Sequence, residues 1–431
     1  MSQVRDLFFD EFYDELERVT SGIAPEDSTS KPSVLSDEVR RCWIPYIPDP
    51  DKRSEALISV DGGVQTSRFA YGDFVAVGRA MALIHRPGQD MVMEKRVKIH
   101  IQKVYDDRDR GFIPGYVRLI AEYETARAAA ERVLEEGGRP LVLLDGSLYL
   151  SRFPYAIREY VDHPELLAEL FNSISTLRCM GRDRGFPVVA VSKDSAVFYL
   201  YMRLLKDAVR RADLGPISEE VERSSSPLDL RIMVKRWPEE KKEALRPFVE
   251  QSPLCDTALI GATTDVEGYT RPLLLAPSIY YGRSDAPAFY DRIRSYLGGE
   301  EAHNVIGSLT GFFDCPGVAV TYWKPTRDGR PFRVDISASE LGYDEPWGAK
   351  EGDRLIGEDR DLNPLEGVLN HLGFWFCNDV EYNIPMRQTD ILARFDRNLY
   401  ASKYEPFIVR RLEQAGLDVR ATRRVLREAA P

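Results

Sequence analysis

Ala56-Leu57-Ile58-Ser59-Val60-Asp61-Gly62-Gly63 and Leu141-Val142-Leu143-Leu144-Asp145-Gly146-Ser147 share one pattern: a short apolar strand that runs into Asp-Gly. A single Asp-Gly is a turn dipeptide, and Asp328-Gly329, between Pro325 and Pro331, reads that way. The two blocks say more because of what separates them. Phe69 to Ile84 is a second strand region interrupted by Gly. Val97, Ile99 and Ile101 alternate with Lys98 and His100, a third strand with one wet face. Residues 116–136 form a helix with a stripe of Leu119, Tyr123, Ala126, Ala130 and Val133, stopped by Gly137-Gly138. The second block follows, then a helix near 164–180, the strand Val188–Val191 and a helix over 196–212.

The order is three strands, helix, strand, helix, strand, helix. Hairpins join the first three strands, and right-handed parallel crossovers join the later ones. This predicts an α/β fold: a ribonuclease H-like mixed sheet with flanking helices. In that order the first strand lies beside the fourth, so Asp61 and Asp145 become neighbours although 84 positions separate them. Two adjacent carboxylates repel, which raises the pKa of one of them. A divalent cation removes the conflict, and hard oxygen ligands suit Mn²⁺ or Mg²⁺. A third acid is expected from the neighbouring helix. Glu122 and Glu124 both flank its apolar stripe; the reading leans to Glu124, and each is equally a solvated helical acid. After the fifth strand comes Ser192-Lys193-Asp194-Ser195. Lys193 suits a substrate phosphate, or the segment simply starts a helix with Asp194 or Ser195 as its N-cap.

At these residues the chain resembles the NurA nucleases. That family pairs a D-G-[SG] after its first strand with a helical Glu and a D-G-S-L after a later strand. The matching segments are Val60-Asp61-Gly62-Gly63, Glu122 or Glu124, Leu144-Asp145-Gly146-Ser147-Leu148, the Lys193 turn, and Glu381-Tyr382 through Asp390. The resemblance implies a metal-dependent deoxyribonuclease that acts on single- or double-stranded DNA ends with Mn²⁺ or Mg²⁺. It also implies a homodimer docked on a hexameric HerA-type translocase, in break resection or anti-phage defence. Tyr382 and Asp390 then complete the site. Asp390 stands where the family carries His, and an ionised Asp there would serve as one more hard ligand. The expected geometry is an extended strap at Ile384-Pro385 and a helix from about Arg387. An acid in the first turn of that helix would also have a purely structural explanation.

Composition bounds these readings. The chain has 431 residues, 43% hydrophobic and 29% charged, enough for a sizeable core. Its 58 Lys and Arg against 69 Asp and Glu give a net charge of −11. A uniformly basic nucleic-acid coat is excluded, so contact with DNA must be local. Candidates are Lys193, Arg394 and Arg397, with Arg420, Arg423, Arg424 and Arg427 in a basic tail. No run reaches the roughly 18 apolar residues that would cross a bilayer, and the N-terminus is no secretory signal. The expectation is a cytoplasmic protein. Its five cysteines and five histidines are scattered, which suggests neither a disulfide framework nor a His-rich metal site. No P-loop and no G-x-S-x-G occurs. An actin-like or sugar-kinase-type ATPase shares the topology but spaces its phosphate loops as Asp-x-Gly. A non-catalytic scaffold subunit is the other alternative.

The expected domains are 1–50, an N-terminal helix and extended linker; 51–212, the nuclease core; 213–317, an inserted lobe; 318–400, the C-terminal part of the core; and 401–431, a basic helical tail. The first helix spans about 4–19, with an apolar stripe of Leu7, Phe8, Phe12 and Leu16, and a loop covers 21–37. Residues 213–235 read as a loop, Val318–Trp323 and Phe332–Ile336 as a hairpin, and 364–373 and 387–400 as helices.

Overall fold

The structure, a computed structural model, describes the chain except residues 1–8, 22–33, 53–55, 70–71, 87, 104–107, 151–152, 155, 225, 250–254, 278–285, 350–351, 418 and 420–431. In chain order the elements are α1 Phe9–Thr20, α2 Val34–Cys42, β1 Trp43–Pro45, β2 Ala56–Arg68, β3 Asp73–His85, β4 Val92–Lys103, α3 Asp109–Glu135 and β5 Pro140–Asp145. Next come α4 Ile157–Asp162, α5 Pro164–Arg184, β6 Val188–Ser192 and α6 Tyr199–Arg211. Helices α7 Pro216–Glu222, α8 Pro227–Lys235, α9 Glu239–Val249 and α10 Asp256–Thr263 follow. The rest are β7 Gly268–Thr270, β8 Leu273–Leu275, α11 Ala286–Tyr296, α12 Gly299–Asp314, β9 Val318–Lys324, β10 Phe332–Ser337, β11 Arg354–Leu355, α13 Asn363–Trp375, α14 Ile384–Ala393, α15 Arg397–Leu399 and α16 Glu405–Gln414.

The strands form one mixed sheet in the order β1-β7-β9-β10-β6-β5-β2-β3-β4, with β8 on β9 and β11 on β8. The hairpins β2-β3 and β3-β4 are antiparallel, whereas β2, β5 and β6 are parallel. This is the expected fold class. Apolar side chains alternate across the central strands and so build two layers. Ile58, Val60, Val142, Leu144, Val188 and Ala190 pack under α3, α5 and α12. Leu57, Leu141, Leu143, Val189 and Val191 pack against α13 and Met386 of α14. A third cluster lays Phe395, Tyr400 and Leu412 on Val75 and Val77.

Several expectations change. Segment 213–235 contains α7 and α8 rather than a loop, with Pro216 and Pro227 in their first turns, where a missing N–H costs nothing. Residues 34–37, read as loop, open α2. The segment read as an inserted lobe adds β7 and β8 to the main sheet, and its α12 packs on α5. On β4 the wet face is the opposite one. Lys98 pairs with Glu169 of α5, while Val97, Ile99 and Ile101 are 48–58% exposed. The scattered cysteines suggested no disulfide framework, yet Cys179 and Cys315 form a disulfide because α5 and the end of α12 lie side by side. Their separation of 136 positions hides this in the sequence. No helix among the described residues is long and apolar enough to cross a membrane.

Candidate active site

Parallel pairing of β2 with β5 runs from Ala56 opposite Pro140 to Val60 opposite Leu144. Asp61 and Asp145 are the next residue on each strand. The strand at Asp61 does not end, as its Asp-Gly suggested. It continues to Arg68 against β3 alone, and only β5 leaves the sheet. Gly146 turns the chain out at φ +111°, a conformation that L side chains rarely adopt, and its N–H donates to the Val191 carbonyl at 2.9 Å.

Helix α3 crosses under the same point. A Cβ on Gly62 would lie 2.8 Å from Glu122 Oε1 and 2.9 Å from the Arg79 carbonyl. Glycine at 62 is therefore what lets Glu122 come up against β2. Glu122 is 4% exposed, and its Oε1 has no hydrogen-bond partner. The nearest cation is Arg118, whose Nε is 3.6 Å away. Burial raises the Glu122 pKa from 4.5 to about 8; Arg118 opposes the rise, and Asp61 and Asp145 add to it. Asp61 rises to about 6, first through burial and then through Asp145 and Asp390, against the Gly62 N–H that donates to its Oδ1 at 2.7 Å. Lys193 Nζ holds Asp145 Oδ2 at 3.1 Å.

The lean toward Glu124 fails on geometry. Two residues further along α3 it faces away and lines a different hollow with Arg127, Glu165 and Glu169. A step of two positions turns a side chain about 200° around a helix. Glu122 instead lines a cleft of about 490 Å³ with Arg118, Asp145, Gly146 and Ser147. Ser192 ends β6, Lys193–Ser195 form a loop, and α6 starts only at Tyr199, so neither Asp194 nor Ser195 is its N-cap.

Ile384-Pro385 is not an extended strap. It opens α14, capped by Asn383, whose side chain accepts the Met386 N–H at 3.2 Å. Asp390 therefore sits in the last turn of α14, exposed, and not in the first turn where a helix dipole would favour an acid. Its field reaches Asp61. Tyr382 has φ +55° and is fully buried against Phe332, with ring centres 4.6 Å apart. Its hydroxyl has no partner, and burial together with Asp145 pushes its pKa well up. Arg394 and Arg397 are exposed just beyond α14. Of the tail arginines, Arg420, Arg423, Arg424 and Arg427 lie outside the described residues.

Residues missed from sequence hold the loop after Asp145. Asp335, fully buried on β10, accepts Ser147 Oγ at 2.7 Å and the Leu148 N–H at 3.0 Å. Arg333 grips both Asp335 oxygens at 2.7 and 2.8 Å. Two charges at i and i+2 in the apolar run Phe332–Ile336 were the available signal, since both fall on one face of a strand.

No three described His, Cys, Asp or Glu side chains close into a ready metal cage. The donors themselves fit a hard divalent cation: neighbouring carboxylate charges raise the pKa of both Glu122 and Asp61, and the buried Glu122 Oε1 accepts no hydrogen bond.

The sequence model of the NurA domain matches residues 55–342. That span holds Asp61, Glu122, Asp145 and Lys193 but neither Tyr382 nor Asp390. No curated protein matches the chain. Among solved structures it is similar to the NurA nuclease from Sulfolobus solfataricus, at 12% identity over 95% of each chain, with a TM-score of 0.45. It is also similar to a NurA bound to dAMP and manganese, at 13% identity over 94% of this chain and 97% of that one, with a TM-score of 0.41.

Proposed function

The chain belongs to the NurA family, and from that premise we propose that it is a divalent-metal-dependent deoxyribonuclease. The observation that carries this reading is the adjacency of Asp61 and Asp145 where β5 leaves β2, with the buried Glu122 lining the same cleft as Asp145. Asp61, Asp145 and Glu122 would hold Mn²⁺ or Mg²⁺, with Asp390 as a further oxygen donor from α14. Bound cations of this kind supply Lewis-acid polarisation of the phosphodiester and a more acidic attacking water. Lys193, once Asp145 turns to a cation, is free to hold a phosphate oxygen as a point charge. Tyr382 is too deep to reach substrate. The test is digestion of labelled linear DNA with Mn²⁺, with Mg²⁺ and with chelator. Equal stability of the DNA in all three arms would sink the reading in favour of a non-catalytic scaffold.

Asp390 gives a sharper test. Asp390→Ala is expected to lose about tenfold or more in cleavage, the scale of a metal-supporting group, and Asp390→His to recover part of it. Full activity in the alanine variant would remove Asp390 from the site and leave only its charge near Asp61.

For assembly, we propose a homodimer that docks on a hexameric HerA-type translocase, in DNA-end resection or in anti-phage defence, in the cytoplasm. The support is exposed apolar surface. Phe12 and Leu16 of α1 are 59% and 45% exposed, so this stripe is not spent on the chain's own core. Leu7 and Phe8 lie outside the described residues. The uncovered face of β4 adds Val97, Ile99 and Ile101. Light scattering should report a dimer at micromolar concentration. A stable monomer, with and without a HerA-like partner, would count against both interfaces.

A further inference from the structure

The cleft at Asp145 does not end there. Ser195 is shared between its wall and a second hollow of about 550 Å³, which Lys193, Thr257 and Arg330 also line. Strand register explains the neighbourhood. Arg333 of β10 pairs with Ser192 of β6, so the hairpin turn just before Phe332 runs alongside the loop just after Ser192. That turn is anchored from outside, because the Arg330 N–H donates to Asp379 Oδ2 at 3.1 Å. The opposite wall is anchored too, since Thr257 Oγ1 donates to the Ser195 carbonyl at 3.0 Å.

Two observations point to a ligand. Ser195 is 9% exposed, and its hydroxyl has no partner. A buried hydroxyl left unpaired is costly, so a donor of this kind signals an acceptor that arrives with the ligand. Lys193 and Arg330 add two cations along the same hollow. Asp194 and Asp328 line it as well; both are exposed, whereas Lys193 is partly buried and Ser195 buried. The charges of the hollow balance, so what favours a phosphate is the donors that face it: the buried Ser195 hydroxyl and the Arg330 guanidinium, which holds no described partner.

We infer that Ser195 and Arg330, beyond Lys193, form a second phosphate subsite, which takes the internucleotide phosphate next to the one at Asp61 and Asp145. This rests on the nuclease reading for the identity of the strand. The polymer leaves the reaction site along the β10 hairpin, on the side away from α3, and Arg330 is its outer contact. Arg330 is the discriminating residue: it is exposed, its side chain holds no described partner, and the turn is secured by its backbone.

The experiment measures binding of a fluorescent single-stranded oligothymidine by anisotropy, in chelator so that nothing is cut, over a salt series. Wild type is compared with Arg330→Ala, Ser195→Ala and Arg294→Ala, the last removing an equal charge from the exposed face of α11. Arg330→Ala should bind about five- to tenfold more weakly and lower the log–log salt slope by about 0.7, one single-strand phosphate contact. Ser195→Ala should weaken binding about threefold with the slope unchanged, as for a neutral donor. Arg294→Ala should match wild type. If Arg330→Ala gives the same affinity and slope as Arg294→Ala, the subsite is overturned; wild-type affinity in Ser195→Ala overturns the hydroxyl's part in it. The same proteins are then given labelled DNA and Mn²⁺. Cleavage with Arg330-independent binding removes the subsite alone. Arg330-dependent binding without cleavage removes the nuclease reading and keeps a strand-binding groove.

Discussion

Asp145→Ala, and equally Asp61→Ala, is expected to abolish cleavage of labelled linear DNA in Mn²⁺ while the chelator-treated protein melts no lower than wild type. Losing a carboxylate that supports cations at a phosphodiester forfeits several kcal/mol of transition-state stabilisation, about a thousandfold or more in rate. The fold should not suffer. Asp145 is part-exposed, and removing it relieves the buried Asp61, whose pKa its charge raises. Asp145→Ala also frees Lys193, which is part-exposed and can turn to water. Wild-type cleavage by Asp145→Ala would refute the site assignment.

The second large effect is at Glu122, and it has opposite signs in activity and stability. Glu122→Gln should abolish cleavage, whereas Glu124→Gln should cut at close to the wild-type rate, because its side chain lines another hollow. Without metal, Glu122 holds its proton up to about pH 8, against an ordinary 4.5. The folded state thus binds a proton that the unfolded chain has released, and stability falls as pH rises across that window. The contribution is fully present below about 4.5 and gone above about 8. Its size is on the order of a few kcal/mol, since each pKa unit is worth about 1.4 kcal/mol. Asp61 adds a smaller loss of the same sign up to about pH 6. Melting in chelator should therefore drop from pH 5 to pH 9 in wild type, with most of that drop missing in Glu122→Gln. Added Mn²⁺ should stabilise wild type more at pH 8 than at pH 5. Equal pH dependence in the two proteins would show that Glu122 is not the buried, protonated acid.

The central strands were legible because burial on both faces writes a continuous apolar run, as in Leu141–Leu144, and because hairpin and crossover rules leave few arrangements. The pairing of β2 with β5 followed from element order alone. The choice between Glu122 and Glu124 was not legible, since both flank the stripe and a helix face is decided by what packs on it. The α14 boundary was misread because Ile384-Pro385 suits both an extended segment and a first helical turn; Asn383 as N-cap decides for the helix. Ser195 and Arg330 carry no local signature. They meet through the register of β10 on β6, a contact between segments 135 positions apart.

Periodicity and turn chemistry in the sequence determined the mixed α/β fold, the strand order at its centre and the adjacency of Asp61 and Asp145, because each follows from local pattern plus chain connectivity. Tertiary structure alone decided that Glu122 rises under Gly62, that Asp335 ties down the loop after Asp145, that Cys179 meets Cys315, and that the apolar side of β4 is the uncovered one. Those outcomes depend on which faces pack against which. Packing is settled by long-range contacts, and no short window of sequence contains them.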